Sequence, residues 1–224
     1  MRALVPADLI KFFSALARRV PCPVKLTLTG GSEAMLLGGT RPTGDLDFEL
    51  ALPPGCARLW HEVEEAVAAA AAETAVTVQY SADIDRWSSI AVPTAKRRTR
   101  LRRRVGRVAV HLLEPRCWAV YKLARYLDAD VEDLRAVLRR QRVPSLGLAR
   151  LCGESLRASP RSTQLFLFRQ HVEHFFRAHG RAIWGAGFRP ETAVAAFGRA
   201  AGIVRPQPLR GRRRPRRCGE WGCP

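Results

Sequence analysis

The chain has 224 residues, enough for one sizeable domain or two small ones, and 47% of them are hydrophobic, as in ordinary globular proteins. It contains no apolar run long enough for a transmembrane helix, and its first residues predict an amphipathic helix instead of a secretory signal, so we expect a bacterial-type cytoplasmic protein without membrane contact. The formal net charge of +18 is strongly localised, because residues 96–107 hold eight basic residues and 210–217 hold six, with no acidic residue in either segment.

Hydrophobic periodicity predicts a first part that alternates helices and strands and a second part that is helical. Helices are expected over 6–19, 31–38 and 57–73, and strands over 24–29, 45–51, 75–80, 86–92 and 105–113. After Pro115 the apolar residues recur at three- and four-residue steps, which is typical of amphipathic helices. The domains expected are 1–114 (α/β), 115–205 (helical) and 206–224, a Pro- and Arg-containing tail that we expect to be disordered.

The most informative stretch is a glycine pair followed by closely spaced carboxylates. Gly30 and Gly31 end an apolar strand, Ser32 follows, and Asp45 and Asp47 lie two residues apart on the next predicted strand. Side chains alternate along a strand, so both aspartates share one face, where two carboxylates could hold Mg²⁺ together with substrate phosphates. Glycines permit a phosphate chain to approach the backbone closely, and these features suggest metal-dependent chemistry on a nucleoside triphosphate.

The basic segment within the first domain is a candidate nucleic-acid contact, because clustered cations bind phosphate backbones by releasing counterions. If the molecule that reacts with the nucleoside triphosphate is a polynucleotide, this segment should face the same side of the protein as the aspartate pair. The alternative is a solvated charged loop. The residues concerned are Arg97, Arg98, Arg100, Arg102, Arg103 and Arg104. Six dispersed cysteines, at 22, 56, 117, 152, 218 and 223, form no Cys-x-x-Cys pair and are interpreted as reduced thiols.

The run GGSEAMLLGGTRPTGDLDFEL resembles the DNA polymerase β-like nucleotidyltransferase superfamily, and within it the bacterial AbiEii-type and related toxin–antitoxin nucleotidyltransferases. A second run, EPRCWAVYKLARYLDADVEDL, is similar to their downstream pattern of a helical lysine, an arginine and an acidic segment. The resemblance covers roughly residues 24–135. It implies an α/β (α+β) fold with a small mixed sheet and flanking helices, followed by a C-terminal helical domain.

The resemblance also implies an activity, namely Mg²⁺-dependent transfer of a nucleoside monophosphate from an NTP to an acceptor hydroxyl. The acceptor would be tRNA, another RNA or a protein, and a cognate antitoxin is a further implied partner. Asp45 and Asp47 would hold the metal, Lys122 would neutralise charge on the triphosphate, and Asp133 would either orient Lys122 or take the acceptor proton. The residues implied in nucleotide binding are Gly30, Gly31, Ser32, Arg41 and Thr43.

One departure from the family pattern concerns a third carboxylate, which active members generally carry on a later strand beside the Asp-x-Asp strand. The candidate strand 105–113 offers His111 there, as a metal ligand, a base or a structural histidine, while Glu114, Asp83 and Asp85 are other candidates. Some relatives instead rely on the helical lysine and aspartate. The alternative function is therefore a catalytically weakened module that binds nucleic acid or a partner protein.

Lys122 gives a sharper expectation. On the predicted helix, Val120, Leu123 and Leu127 form the packing side, and Lys122 projects away from the centre of that stripe. We therefore expect Lys122→Ala to abolish transfer while changing the free energy of unfolding by no more than about 1 kcal/mol, as for most surface substitutions.

Overall fold

The computed structural model describes residues 2–83, 85 and 88–203. These residues form five β-strands, eight α-helices and a short 3₁₀ helix at Pro54–Leu59. The strands are β1 (Val24–Leu28), β2 (Asp45–Ala51), β3 (Thr77–Ser81), β4 (Thr99–Val105) and β5 (Val108–Leu113). The helices are α1 (Pro6–Ala17), α2 (Gly30–Leu37), α3 (Trp60–Thr74), α4 (Pro115–Arg125), α5 (Asp128–Arg140), α6 (Ser145–Ala158), α7 (Thr163–Trp184) and α8 (Pro190–Ala200). This arrangement confirms the predicted α+β class, with a mixed sheet followed by helices.

The sheet has the strand order β3-β2-β1-β5-β4. β2 pairs antiparallel with β1 and parallel with β3, while β5 pairs parallel with β1 and antiparallel with β4. One face carries apolar side chains such as Phe48, whose ring lies 6.1 Å from that of Phe12 on α1, and α1 also packs against α3. Asp45 and Asp47 alternate with Phe48 along β2 and therefore belong to the opposite face.

Two sequence-based predictions for the segment between β3 and β5 are wrong. Residues 88–92 of the predicted strand 86–92 form no strand, and 86 and 87 lie outside the described residues. The segment predicted as a basic connection instead forms the strand β4, which ends at Val105. It joins β5, which covers 108–113 of the predicted strand 105–113, through a turn with Gly106 at φ +51°. An arginine-rich run lacks apolar alternation, but an edge strand with exposed side chains needs only the backbone hydrogen bonds that β5 supplies.

The other sequence-based predictions have mixed outcomes. Cys22, Cys56, Cys117 and Cys152 are free cysteines, whereas Cys218 and Cys223 lie outside the described residues, as does the whole of the predicted tail 206–224 with its basic block. Among the helices in the described part of the chain, none has the length and apolar character that crossing a bilayer requires. The boundary between the predicted domains 1–114 and 115–205 falls between β5 and α4.

Candidate active-site cleft

The glycine turn between β1 and α2 lies directly against the carboxylate of Asp47. Gly30 has a φ of +62°, and a Cβ atom built on it would lie 2.0 Å from Oδ2 of Asp47. The backbone N–H of Gly31 donates a hydrogen bond to the same carboxylate. Only glycine satisfies both the backbone conformation and the close approach at residue 30, so the local sequence positions Asp47 at the N-terminus of α2.

The environment of Asp47 disfavours its charged form. Burial raises its pKa and the nearby carboxylate of Asp45 raises it further, while Arg125, Lys122 and the Gly31 N–H act in the opposite direction, leaving a pKa of about 6. A divalent cation would reverse the first two effects, because it favours the deprotonated carboxylate. The half-buried aspartate pair therefore fits a cation electrostatically.

Asp45 is held by two neighbouring polar side chains. Its Oδ1 accepts a hydrogen bond from Oγ1 of Thr43 at 3.0 Å, and its Oδ2 accepts one from Nε2 of Gln79 at 3.0 Å. Gln79 lies opposite Asp47 in the β2–β3 register. The strand that directly flanks the aspartates on this side therefore presents an amide where a third carboxylate could stand.

The expectation that His111 could occupy the third-carboxylate position is wrong. β5 does not flank β2, because β1 lies between them and His111 pairs with Thr27. His111 instead lies 3.4 Å from Oγ1 of Thr99, and burial, Lys25 and Arg104 lower its pKa. The sequence could not reveal this, because a parallel crossover lets β5 join the sheet on the far side of β1.

The other acidic candidates have partners of their own. Asp85 accepts a hydrogen bond from the Tyr121 hydroxyl at 2.6 Å, Glu114 pairs with Arg116 at 2.5 Å, and Asp83 is exposed. Within 2–83, 85 and 88–203, no group of three or more His, Cys, Asp or Glu side chains is arranged to hold a metal ion. Asp45 and Asp47 would be the two carboxylate ligands of a magnesium ion here, since Mg²⁺ usually binds through one or two carboxylates together with substrate phosphates.

Lys122 is not the surface residue that the apolar stripe of its helix suggested. Only 4% of its side chain is exposed, and Nζ lies 3.0 Å from Oδ1 of Asp130 and 2.8 Å from Oδ2 of Asp133. Both carboxylates are buried as well, and the ammonium group lies 5.6 Å from the ring centre of Trp118. The exposure on which the predicted tolerance of Lys122→Ala rested is therefore wrong, because α5 packs across the polar side of α4.

Arg125 is more exposed than Lys122, the other cation among the described residues that line the cleft. It donates from Nε and Nη2 to the two carboxylate oxygens of Asp130, at 2.7 and 2.6 Å, yet 57% of its side chain is exposed. Burial acts to raise the pKa of Asp130, but hydrogen bonds from Arg125 and Lys122 outweigh it and the pKa is lowered. The cleft has a volume of about 250 Å³ and is lined by Thr29, Gly30, Asp47, Gln79, Ser88, Trp118, Tyr121, Lys122 and Arg125.

The remaining residues implied in nucleotide binding divide into two groups. Arg41 and Thr43 lie near Gly31, since a Cβ atom on Gly31 would be 3.6 Å from Nη2 of Arg41 and 2.7 Å from Oγ1 of Thr43. Ser32, in contrast, is fully buried and its hydroxyl donates to the carbonyl oxygen of Thr29 at 3.0 Å. Arg41 and Thr43 therefore lie beside the glycine turn, whereas the Ser32 hydroxyl is already hydrogen-bonded to the backbone.

The basic segment also divides in two. Arg97 crosses toward the aspartate-bearing face and pairs with Glu49 at 3.2 Å and Asp85 at 3.7 Å, so it is an internal ion-pair partner instead of a free phosphate ligand. Two strands separate β4 from β2, so the strand axes are about 14 Å apart at the usual spacing. The exposed arginines on or beside this edge strand are Arg98, Arg100, Arg102, Arg103 and Arg104.

Several residues of the cleft escaped sequence reasoning. Trp118 is buried and its Nε1 donates to the carbonyl oxygen of Gly30 at 3.1 Å, which ties α4 to the glycine turn. Trp118, Tyr121, Lys122 and Arg125 follow an i, i+3, i+4, i+7 spacing and thus share one helix face, which is a signal that the sequence did contain. Gln79 and Ser88 carried no such signal.

The comparisons with known proteins were negative. No protein-family model, curated protein or solved structure matches this chain. Membership of a nucleotidyltransferase family therefore stays a hypothesis that rests on the residues themselves.

Proposed function

We propose that this protein is a nucleotidyltransferase that moves a nucleoside monophosphate from an NTP to an acceptor hydroxyl. In the reaction, the acceptor oxygen forms a bond to the α-phosphorus and the bond from that phosphorus to the bridging oxygen breaks. Pyrophosphate leaves with the electron pair of the broken bond, and the proton of the acceptor hydroxyl passes to solvent. RNA, including tRNA, and proteins are the acceptor classes that the sequence resemblance implies. A cognate antitoxin and a cytoplasmic location belong to the same proposal.

The observation that best supports this proposal is the position of the Asp47 carboxylate directly against the glycine turn. Two cations from α4 line the same cleft. Gly30 and Asp47 line this cleft together, and Arg125 and Lys122 contribute positive charge to it. Asp45 and Asp47 would hold Mg²⁺, which when bound would neutralise charge developing on the phosphates. Phosphoryl-group transfer depends chiefly on positioning of the reactants and on charge stabilisation, and these are the two roles that the side chains of the cleft would have.

Other side chains of the cleft would orient the catalytic groups. Thr43 and Gln79 fix both oxygens of Asp45, which orients its carboxylate before substrate arrives. Asp133 is buried and contacts Lys122 and Arg41, so its environment supports an orienting role over proton abstraction from the acceptor. Asp47 has a pKa of about 6 without metal, and a bound cation would keep its carboxylate ionised as a ligand.

A second candidate function is a nucleotide-binding module with weak or no transfer activity. Two observations favour it, namely the amide of Gln79 beside Asp47 and the two carboxylates that already engage Lys122. Binding of Mg²⁺–NTP without release of pyrophosphate would identify this case.

The test uses purified full-length protein, Mg²⁺, each of the four NTPs labelled at the α-phosphate, and a total tRNA pool or the protein itself as acceptor. We expect label transfer with pyrophosphate release, and its loss in Asp47→Asn. Glu65→Gln serves as the matched control, because Glu65 is an exposed carboxylate on α3 with 68% of its side chain accessible. Equal activity in Asp47→Asn and wild type would refute the proposed role of the pair.

A further inference from the structure

A buried cluster of charged side chains lies behind the glycine turn. Lys122 bridges the carboxylates of Asp130 and Asp133, and each carboxylate also binds an arginine: Asp130 binds Arg125, and Asp133 binds Arg41 at 3.3 Å. The cluster thus contains three cations and two anions. Its positive excess is carried at the surface, because the lysine and both aspartates are buried while the arginines are partly exposed.

Lys122 is poorly suited to contact a substrate directly. Its ammonium group has two carboxylate partners within 3.0 Å and only 4% of the side chain is exposed. A phosphate oxygen would have to compete with two buried carboxylates that already contact the ammonium group. Removing Lys122 from either of them would leave a buried carboxylate with less compensation, which is energetically costly.

Arg125 has the opposite character. A guanidinium group carries five N–H donors in a planar fork, and Asp130 engages only Nε and Nη2 at the distances given above. Nη1 and the unused hydrogen of Nη2 remain able to bind an anion, and the side chain lines the same cleft as Gly30 and Asp47. The carboxylate of Asp130 is itself fixed by Lys122 and by the backbone N–H of Leu127 at 3.2 Å.

We propose that Arg125 is the residue that binds the triphosphate, and that Lys122 is a positioning residue that acts through Asp130. This inference rests on the proposed function and refines it, because it moves the phosphate contact from the buried lysine to the exposed arginine. Arg41 is anchored to the other half of the same cluster and lies beside Gly31, so the cluster fixes guanidinium groups near both glycines of the turn.

Calorimetric titration with each Mg²⁺–NTP, and with the nucleoside of the NTP that binds best, separates phosphate contact from general damage. Arg125→Gln should weaken triphosphate binding about 10- to 100-fold, the range expected for a charged hydrogen bond, and leave nucleoside binding within about twofold. Arg125→Lys should recover part of the loss, because it restores the charge without the planar fork. Arg169→Gln, which removes an exposed arginine from α7, should behave like wild type.

Two outcomes with Arg125→Gln would overturn the inference. One is wild-type triphosphate affinity in Arg125→Gln, and the other is an equal loss for triphosphate and nucleoside, which would indicate a structural role. Lys122→Met provides the second variant. If Lys122 only positions Arg125, the triphosphate affinity of the folded variant should fall no further than in Arg125→Gln. A larger fall would show that Lys122 itself contacts the phosphates. A wild-type protein that binds no NTP would overturn the proposed function and this inference together, and that result is recognisable without any variant.

Discussion

The substitution Lys122→Ala tests the central feature of the cleft, which is its buried ion-pair cluster. Among the residues that the structure describes, it removes the one cation that contacts both buried carboxylates, Asp130 and Asp133. Asp130 keeps Arg125 as a partner, but Asp133 keeps only the longer contact with Arg41, and its Oδ1 is already buried without a hydrogen-bond partner. Breaking a buried ion pair on one side typically costs about 3–5 kcal/mol, because an uncompensated charge remains in the interior.

The assay is thermal or urea unfolding followed by circular dichroism at pH 7. For a protein of this length, about 3–5 kcal/mol corresponds to a fall in melting temperature of roughly 6–20 °C. Lys11→Ala is the matched control, because Lys11 is an exposed lysine on α1 and should change the free energy of unfolding by no more than about 0.5 kcal/mol.

A double variant separates lost charge pairing from lost packing. Lys122→Met keeps most of the side-chain volume, and adding Asp133→Asn removes a carboxylate that would otherwise stand uncompensated. We expect the double variant to be more stable than Lys122→Met alone, with a coupling of about 0.5–3 kcal/mol between the two sites. A loss below about 1 kcal/mol in Lys122→Ala would refute the buried-pair reasoning and restore the surface role that the sequence predicted.

Three further predictions concern other parts of the site. The pKa of Asp47 is higher in the folded than in the unfolded chain, so its contribution to stability falls as the pH rises from about 4 through 6. Thermal unfolding should therefore show that Asp47→Asn stabilises the metal-free protein by about 1–3 kcal/mol at pH 8 and has little effect at pH 4. Gly30→Ala should displace the Asp47 carboxylate, since the new Cβ would lie 2.0 Å from its oxygen, and should abolish label transfer even where the variant is folded by circular dichroism. Replacing Arg100, Arg102 and Arg104 with Gln should reduce the slope of log affinity for single-stranded RNA against log salt by about 2–3, measured by fluorescence anisotropy; an unchanged slope would make the edge strand a solvated surface.

The sequence by itself determined the local geometry of the turn and of the aspartate pair. A strand places residues two apart on one face, so Asp45 and Asp47 had to share a side whatever the rest of the fold was. Likewise, a strand that passes directly into a helix with its backbone against a carboxylate needs glycine, and Gly30 was readable as such. These inferences held because they depend only on neighbours along the chain.

Only the tertiary structure decided which strands flank the aspartates and which cations reach the cleft. His111 was misplaced because strand order depends on the connection from β3 to β4, which crosses to the opposite edge of the sheet, and the side-chain pattern of one strand contains no record of its neighbours. Lys122 was misjudged for a related reason. A helical wheel identifies the apolar face, but it cannot show that α5 brings Asp130 and Asp133 against the polar face and buries the lysine there as an ion pair. Long-range packing sets burial, and burial decides whether a charge binds a substrate or supports the fold.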